Sequence, residues 1–357
     1  MGLRTPMYDL HVALGAKMVD FNEWELPLHY GSQIEEHNQV RNDCGVFDIS
    51  HLTITDISGS QATSFLQKLL CSDVAKLATK QMCFSLLLDE NAGIIDEVAV
   101  MQLDNGYRLL TNAATKLSVR QWLTKHADDF TISIEAQDDL AILAIQGPNT
   151  YSHLKTVLNS SRKALLEQLQ PHQGAADGDW FIARMGYTGE EGFEIFLPSE
   201  QAVNLFNELM GSGISPIGIG ARDTLRIEAG YPLYGVDINA AIQPACLGLN
   251  DRIDLEPSTR SFIGRNKITK RDQCERVLVG LVLEERGVLR QGQPVHIEGF
   301  GEGVITSGSF SPTLSKAIAL ALVPAAAQDR AEVEIRGKWH PVRIVQPPFV
   351  RHGKILV

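Results

Sequence analysis

Two adjacent carboxylates, Asp96 and Glu97, are the first candidates for chemistry in this sequence. They end an apolar stretch that begins at Gly93, just before a predicted hairpin. A carboxylate flanked by apolar groups at a strand end is partly desolvated, and desolvation raises its pKa toward the range useful for proton transfer. Adjacent acids at such a turn are also commonly solvated. The residue types alone favour this second interpretation.

A third carboxylate, Glu194, follows a turn rich in glycine at residues 186–192. The alternation of a strand places Glu194 opposite the face that carries Phe193 and Ile195. A buried carboxylate must be paired, and a ligand with two parallel N–H donors is one such partner. An exposed glutamate on an antiparallel sheet is the more common case. The glycines match no phosphate-binding loop.

Two arginines, Arg222 and Arg226, lie four residues apart in a helix that a glycine turn opens. This spacing places both on one helical face, with Asp223 and Glu228 available as partners. Taken alone, the segment indicates an amphipathic helix with salt bridges. These candidates therefore identify no reaction by themselves.

The elements around these candidates predict an α+β architecture. Residues 98–103 and 107–111 form a strand pair around Asp104-Asn105-Gly106, in which Asn and Gly accept the positive φ of a hairpin turn. A strand at 52–57 precedes a helix at 62–70. Further on, helical patterns alternate with short strands. The helical patterns cover residues 116–126, 202–210 and 221–229. The strands lie around Ile132, Leu143, Ile182 and Phe193.

The last part of the chain has a different pattern. Short apolar strands divided by Gly, Pro and Ser follow one another from about residue 276. This pattern is typical of a small β-barrel or sandwich. We therefore expect two parts, an α+β region over residues 1–275 and a β domain over residues 276–357.

Composition limits the classes of partner. The 357-residue chain has a formal charge of −11 and a pI near 5.4, which disfavours nucleic acid and anionic membranes as partners. No apolar run reaches membrane-helix length, and the first nine residues resemble neither a signal nor a transit peptide. A cytoplasmic protein is expected. Five scattered cysteines and ten dispersed histidines predict neither disulfides nor a metal site.

Ordered motifs along nearly the whole chain resemble the aminomethyltransferase (T-protein) family of the glycine cleavage system. Each motif is weak alone, but the ordered set is specific. The motifs include Thr5-Pro6-Met7-Tyr8, Phe47-Asp48-Ile49-Ser50-His51, Gln146-Gly147-Pro148, Gly186-Tyr187-Thr188-Gly189-Glu190, Gly220-Ala221-Arg222-Asp223-Thr224-Leu225-Arg226, Phe262-Ile263-Gly264-Arg265 and Thr306-Ser307-Gly308-Ser309-Phe310-Ser311-Pro312-Thr313-Leu314.

The resemblance implies a three-lobed fold, with two interleaved α+β lobes and a C-terminal β-barrel around a central folate cavity. It also implies transfer of an aminomethyl carbon from the lipoyl arm of H-protein to tetrahydrofolate. Ammonia is released, 5,10-methylenetetrahydrofolate is formed, and no metal takes part.

The resemblance also assigns roles to individual residues. Asp96 is expected to be the catalytic carboxylate beside N5 and N10 of the folate, because protons must be moved or stabilised as ammonia leaves. Glu194 is expected to accept the paired N–H donors of the pterin ring. The remaining residues expected to contact the folate are Arg226, Asn112, Tyr187, Phe84, Leu52 and Arg351.

Several positions depart from the family pattern. Phe84 replaces a Tyr, and thereby removes a hydroxyl that could anchor the folate. Glu97 replaces a second Asp, and Asn250-Asp251 replaces Gly-Trp. Two alternatives remain open, a folate-dependent demethylase or one-carbon transferase with another donor, and a folate-binding protein without transferase activity. The cysteine motif KGCYxGQ of the second group is absent from the sequence.

Overall fold

The computed structural model describes residues 2–357. In this range the α-helices are α1 (Tyr8–Ala13), α2 (Gln33–Asn42), α3 (Ala62–Leu69), α4 (Lys116–Lys125), α5 (Thr150–Val157), α6 (Ser160–Gln168), α7 (Ser199–Gly211) and α8 (Ile219–Glu228). The strands are β1 (Leu3–Arg4), β2 (Lys17–Phe21), β3 (Trp24–His29), β4 (Gly45–Asp48), β5 (Thr53–Ser58), β6 (Met82–Leu88), β7 (Ile94–Leu103), β8 (Gly106–Thr111), β9 (Ser133–Ala136), β10 (Leu140–Gln146), β11 (Gln173–Asp177), β12 (Trp180–Arg184), β13 (Gly192–Pro198), β14 (Ser215–Pro216), β15 (Arg276–Leu283), β16 (Pro294–Ile297), β17 (Gly301–Ser311), β18 (Lys316–Pro324), β19 (Arg330–Ile335), β20 (Lys338–Val345), β21 (Val350–Arg351) and β22 (Lys354–Ile355).

One lobe is a five-stranded sheet with the order β6-β7-β8-β5-β9. Its centre is the predicted hairpin, in which β7 and β8 pair antiparallel with Leu103 opposite Gly106. Gly106 has φ of 146°, and a Cβ at this position would lie 2.2 Å from the Ile57 carbonyl oxygen. Only glycine fits there without strain. One face of the sheet packs on α3 and α4 through an apolar core that includes Phe65, Leu69 and Leu123.

The other lobe is a six-stranded sheet with the order β11-β12-β13-β10-β4-β14. One face packs on α5, α6 and α7, through buried side chains such as Leu154, Leu166 and Phe206. Because β4 precedes the whole five-stranded sheet in the chain and β10 follows it, the two lobes are interleaved. The predicted α+β class is confirmed.

The inner faces of the two sheets share an apolar core. Met101 and Ile54 come from the five-stranded sheet, and Phe47 and Phe196 from the six-stranded sheet. Leu225 of α8 belongs to the same cluster. Residues of β7 are therefore brought to the same region as residues of β13 and α8, although β7 ends at Leu103 and β13 begins only at Gly192.

The C-terminal part forms a closed barrel with the strand order β15-β18-β17-β16-β19-β20. Its first strand begins at Arg276. The predicted β-barrel is confirmed. The strand β20 closes the barrel by pairing with both β19 and β15.

A buried polar network joins the barrel to the helices. Glu228, at the end of α8, is fully buried, and its Oε2 accepts hydrogen bonds from Arg41 Nη2 at 2.8 Å and Thr313 Oγ1 at 2.8 Å. The Ser311 hydroxyl donates to Oε1, and His37 Nε2 lies 3.3 Å from Oε2. This single carboxylate therefore connects α2, α8 and the end of β17.

The expectation that the cysteines do not form disulfides is wrong for one pair. Cys246 and Cys274 form a disulfide, with Cα atoms 5.6 Å apart and a sequence separation of 28. Such a pairing is set by tertiary distance, which Cys spacing alone does not reveal. Cys44, Cys71 and Cys83 are free thiols. Over residues 2–357, no helix is both long and apolar enough to cross a membrane.

Candidate functional site

A cavity of about 410 Å³ lies where the two α+β lobes meet. Its walls come from β6, β7 and β8 of the five-stranded sheet, from β13 of the six-stranded sheet, and from α8. The predicted residues that line it are Leu52, Phe84, Asn112, Tyr187, Glu194 and Arg226. Asp96 and Arg351 are absent from this wall.

Asp96 lies behind the cavity wall. Its side chain is fully buried, so the interpretation as a solvated surface acid is wrong. Asp96 Oδ1 accepts from Asn112 Nδ2 at 2.7 Å, and Oδ2 accepts from Thr115 Oγ1 at 2.7 Å and from the Asn112 amide at 3.0 Å. Burial raises the pKa of Asp96 to about 6, although these hydrogen bonds oppose the rise. Donors of the protein therefore bind both oxygens of the Asp96 carboxylate.

Glu97 is the carboxylate of this pair that lines the cavity. Successive side chains of a strand point to opposite faces, so β7 directs Glu97 inward and Asp96 away. The Glu97 side chain is 15% exposed and forms an ion pair with Arg252. The resemblance assigns the catalytic role to Asp96, whereas Glu97 is the member of the pair that lines the cavity.

Glu194 lies in the middle of β13, between Ala144 of β10 and Ala183 of β12. It is 2% exposed, and its Oε2 has no hydrogen-bond partner among residues 2–357. Burial raises the pKa of Glu194 to about 7, and the positive charge of Arg222 only partly offsets this rise. A buried oxygen without a partner, aimed into a cavity, is suited to accept a donor from a ligand.

Arg222, one turn before Arg226, also lines the cavity. Its Nη1 is buried without a hydrogen-bond partner within the described residues, and its guanidinium lies 5.0 Å from the centre of the Tyr187 ring. Burial lowers the pKa of Arg222, and Glu194 acts against this shift. The guanidinium is therefore available to a ligand that presents a hydrogen-bond acceptor.

Arg226 is expected to donate hydrogen bonds to the folate, but three of its nitrogen atoms already donate to groups of the protein. Its Nε donates to Asp223 at 2.9 Å, Nη1 to Asp237 at 2.7 Å, and Nη2 to the Ser307 hydroxyl at 2.8 Å. These contacts occupy most of its donors and tie α8 to β17. Arg222, which the helical spacing places on the same face, lines the same cavity and has an Nη1 without a partner among residues 2–357.

Two other predicted residues, Tyr187 and Arg351, both contact Tyr231. The Tyr187 hydroxyl donates to the Pro232 carbonyl at 2.7 Å, and its ring stacks on Tyr231 at 5.2 Å. Arg351 lies outside the wall and donates to the Tyr231 hydroxyl at 2.8 Å. Arg351 therefore contacts the ring that stacks on Tyr187.

His51 was not among the predicted ligand contacts, although it belongs to one of the motifs. It lines the cavity, is 6% exposed, and its Nδ1 has no hydrogen-bond partner in the described part of the chain. Burial and the charge of Arg222 lower the pKa of His51 to about 4. It is therefore neutral at physiological pH and can serve as both donor and acceptor.

The arrangement indicates a site for a polar heterocycle. Glu194 offers acceptors, Arg222 offers donors, and His51 offers one of each within an enclosed space. Glu97 provides a second carboxylate at a separate position on the wall, where a proton or a positive charge could be stabilised.

Comparison with known proteins gives matches over most of the chain. Residues 7–256 match the family described as "GCVT N-terminal domain", and residues 276–351 match "Glycine cleavage T-protein C-terminal barrel domain". The chain is 56% identical to an aminomethyltransferase of Pseudomonas syringae pv. tomato, with 100% of both chains covered. It is 47% identical to an aminomethyltransferase of Alcanivorax borkumensis, with 99% of this chain and 98% of the relative covered.

A solved structure has the same overall fold. The glycine cleavage system aminomethyltransferase T of Bartonella henselae superimposes with a TM-score of 0.93 at 33% identity, and the match covers 100% of both chains. The likeness therefore includes both α+β lobes and the barrel.

Proposed function

The chain belongs to the glycine cleavage T-protein family, and on that premise we propose that it transfers an aminomethyl carbon to tetrahydrofolate in glycine cleavage. The cavity between the two α+β lobes supports this proposal independently of the family match. In its wall, Glu194 and Arg222 both have buried polar atoms without partners among residues 2–357. A pterin ring presents adjacent N–H donors and a carbonyl acceptor, which complement a carboxylate and a guanidinium.

The donor in this proposal is an aminomethyl group held as a thioether on the lipoyl arm of H-protein. The carbon–sulfur and carbon–nitrogen bonds of the donor break, so that the lipoyl thiol and ammonia are released. Tetrahydrofolate, when bound, supplies N5 and N10, which the transferred carbon bridges. The transferred carbon keeps its oxidation state, because it exchanges its bonds to sulfur and nitrogen of the donor for bonds to N5 and N10. The reaction therefore needs no oxidant or reductant.

Glu97 is the residue to which we assign the handling of charge and protons in this reaction. Its carboxylate lines the cavity, where it can stabilise the positive charge that develops at the carbon as ammonia leaves. It can also accept a proton from a folate nitrogen. Asp96 is instead proposed as a positioning residue, because its oxygens bind the Asn112 side chain and the Glu97 amide at 2.7 and 2.9 Å.

The test of this function is a reconstituted assay with purified lipoylated H-protein carrying the aminomethyl group and with tetrahydrofolate. We expect stoichiometric release of ammonia and formation of 5,10-methylenetetrahydrofolate. Formation of neither product, despite tight binding of tetrahydrofolate by calorimetry, would favour a binding protein without transferase activity. Transfer of an intact methyl group only from an N-methyl donor, with 5-methyltetrahydrofolate as the product, would favour a demethylase.

The Glu194→Gln variant tests the pterin contact. An amide replaces one acceptor by a donor, so we expect tetrahydrofolate to bind about tenfold or more weakly, in line with the loss of a hydrogen bond to a charged group. The measurement is isothermal titration calorimetry at pH 8. Glu208→Gln, on the exposed side of α7, is the matched control.

The pH dependence of this affinity adds a second readout. The pKa of Glu194 is about 7 before ligand binds, and donors prefer the ionised form. Below pH 7 binding must therefore first remove a proton, and the dissociation constant should rise as pH falls from 8 to 6. The rise should be absent in Glu194→Gln. A pH dependence equal in wild type and variant would contradict the assignment.

A further inference from the structure

Arg252 reaches the cavity carboxylate from outside the two sheets. It ends a short 3-10 turn, Asn250–Arg252, in the connection between α8 and the barrel. Arg252 Nη1 forms an ion pair with Glu97 Oε1, and the two side chains are only 11% and 15% exposed. Buried charges of opposite sign in contact interact much more strongly than exposed ones.

The connection that carries Arg252 is fixed to the edge strand β6. The Ser72 hydroxyl lies 3.1 Å from the Phe84 carbonyl and 3.0 Å from the Arg252 carbonyl. In the sheet, Phe84 pairs with Ala99 and Leu86 pairs with Glu97. Phe84 and Glu97 are therefore diagonal neighbours on one face. The Arg252 guanidinium lies 5.3 Å from the centre of the Phe84 ring, which fixes its path toward the carboxylate.

The other charged groups of the cavity have different partners. Glu194 interacts with Arg222, Arg226 is bound to Asp223 and Asp237, and Asp96 faces Asn112 and Thr115 on the opposite side of β7. His51, Tyr187 and Tyr234 are the remaining titratable groups of the wall. Among residues 2–357, Arg252 has the positively charged side chain that lies within ion-pair distance of the Glu97 carboxylate. Burial lowers the pKa of Arg252 to about 10, so the guanidinium stays charged at neutral pH.

We propose that Arg252 is a positioning residue that keeps Glu97 ionised and oriented along the Phe84 ring. A carboxylate that is ionised when the donor binds has no proton to give to it. Glu97 then acts by stabilising positive charge and by accepting a proton, while the departing nitrogen must obtain any proton elsewhere. The catalytic part of this inference rests on the proposed function, whereas the ionisation of Glu97 is a property of the protein alone.

The direct test is a carbon NMR titration of the full-length protein labelled with ¹³Cδ-glutamate. Glu97→Gln identifies the Glu97 signal, which is followed from pH 5 to 8 in wild type, Arg252→Met and Arg252→Lys. We expect Glu97 to remain ionised throughout in wild type and in Arg252→Lys. In Arg252→Met the titration midpoint should rise by about one pH unit or more, because burial then acts without a counter-charge.

Arg271→Met is the matched control, since Arg271 lies in the same connection and, among residues 2–357, its side chain donates only to the Ala245 carbonyl, at 3.4 Å. Thermal unfolding and tetrahydrofolate affinity verify that each variant is folded. An identical Glu97 midpoint in wild type and folded Arg252→Met overturns the proposal, whatever the activity of the protein.

The catalytic consequence is read from the pH dependence of kcat in the transfer assay. We expect the acidic limb of the Arg252→Met profile to move upward together with the NMR midpoint, with rescue by Arg252→Lys. If wild type shows no transfer, the proposed function fails while the NMR result still decides the ionisation. If wild type is active and the profiles of all three proteins coincide, the positioning role is refuted.

Discussion

Glu97→Gln should reduce aminomethyl transfer about a hundredfold or more, the usual contribution of a positioned acid or base. Glutamine keeps the size of the side chain but removes the negative charge from the cavity wall. The affinity for tetrahydrofolate should change little, because the proposed pterin contacts are made by Glu194 and Arg222. The measurement is kcat with H-protein in the reconstituted assay, together with the dissociation constant from calorimetry.

Asp96→Asn is the informative comparison for this variant. Asp96 accepts hydrogen bonds from Asn112, Thr115 and the Glu97 amide, so an amide there disturbs the local geometry without removing a charge from the wall. We expect a smaller loss of kcat than in Glu97→Gln, and a lower unfolding temperature. Near-normal turnover in Glu97→Gln with a severe loss in Asp96→Asn would return the catalytic role to Asp96.

Glu228→Ala is expected to lower the free energy of unfolding by about 3–5 kcal/mol, as for other buried ion pairs that lose one partner. The variant removes the acceptor of Arg41 Nε and Nη2 and leaves Arg41 with Glu190 as its remaining counter-charge. It also removes the acceptor for Ser311 and Thr313. The measurement is chemical denaturation at pH 7. Glu284→Ala, which removes an exposed pair with Lys316 and Arg343, should cost no more than about 1 kcal/mol.

The contribution of Glu228 should also depend on pH. Burial alone would raise its pKa, but the hydrogen bonds and charges of His37, Arg41 and Ser311 outweigh this effect and lower the pKa from 4.5 to about 2. A carboxylate whose pKa is lower in the folded than in the unfolded protein stabilises the fold at pH values above the unfolded pKa. This stabilisation is lost as pH falls toward the folded pKa. The stability difference between wild type and Glu228→Gln should thus shrink between pH 4.5 and 2. A constant difference would contradict this linkage.

Local patterns in the sequence were sufficient for much of the fold. The turn Asp104-Asn105-Gly106 predicted the hairpin of β7 and β8, because positive φ at such a turn is a local property of the chain. Short strands after residue 276 likewise predicted the barrel. The ordered motifs identified the family, since each is a short run whose order along the chain is readable directly.

The details of the site depended on the tertiary structure. Strand alternation separates Asp96 from Glu97, and helical spacing keeps Arg222 beside Arg226, but neither periodicity says which side chain meets the cavity. That choice is made by the distant partners, namely Asn112 and Thr115 for Asp96, and Asp237 and Ser307 for Arg226.

The sequence by itself therefore determined the class of fold, the family and the short segments that carry the chemistry. Only the tertiary structure decided that Glu97 and Arg222 face the cavity, that Arg252 pairs with Glu97, and that Cys246 bonds to Cys274. The physical reason is that secondary structure follows from neighbours in the chain. The partner of a buried charge or thiol is instead set by which distant elements pack against it.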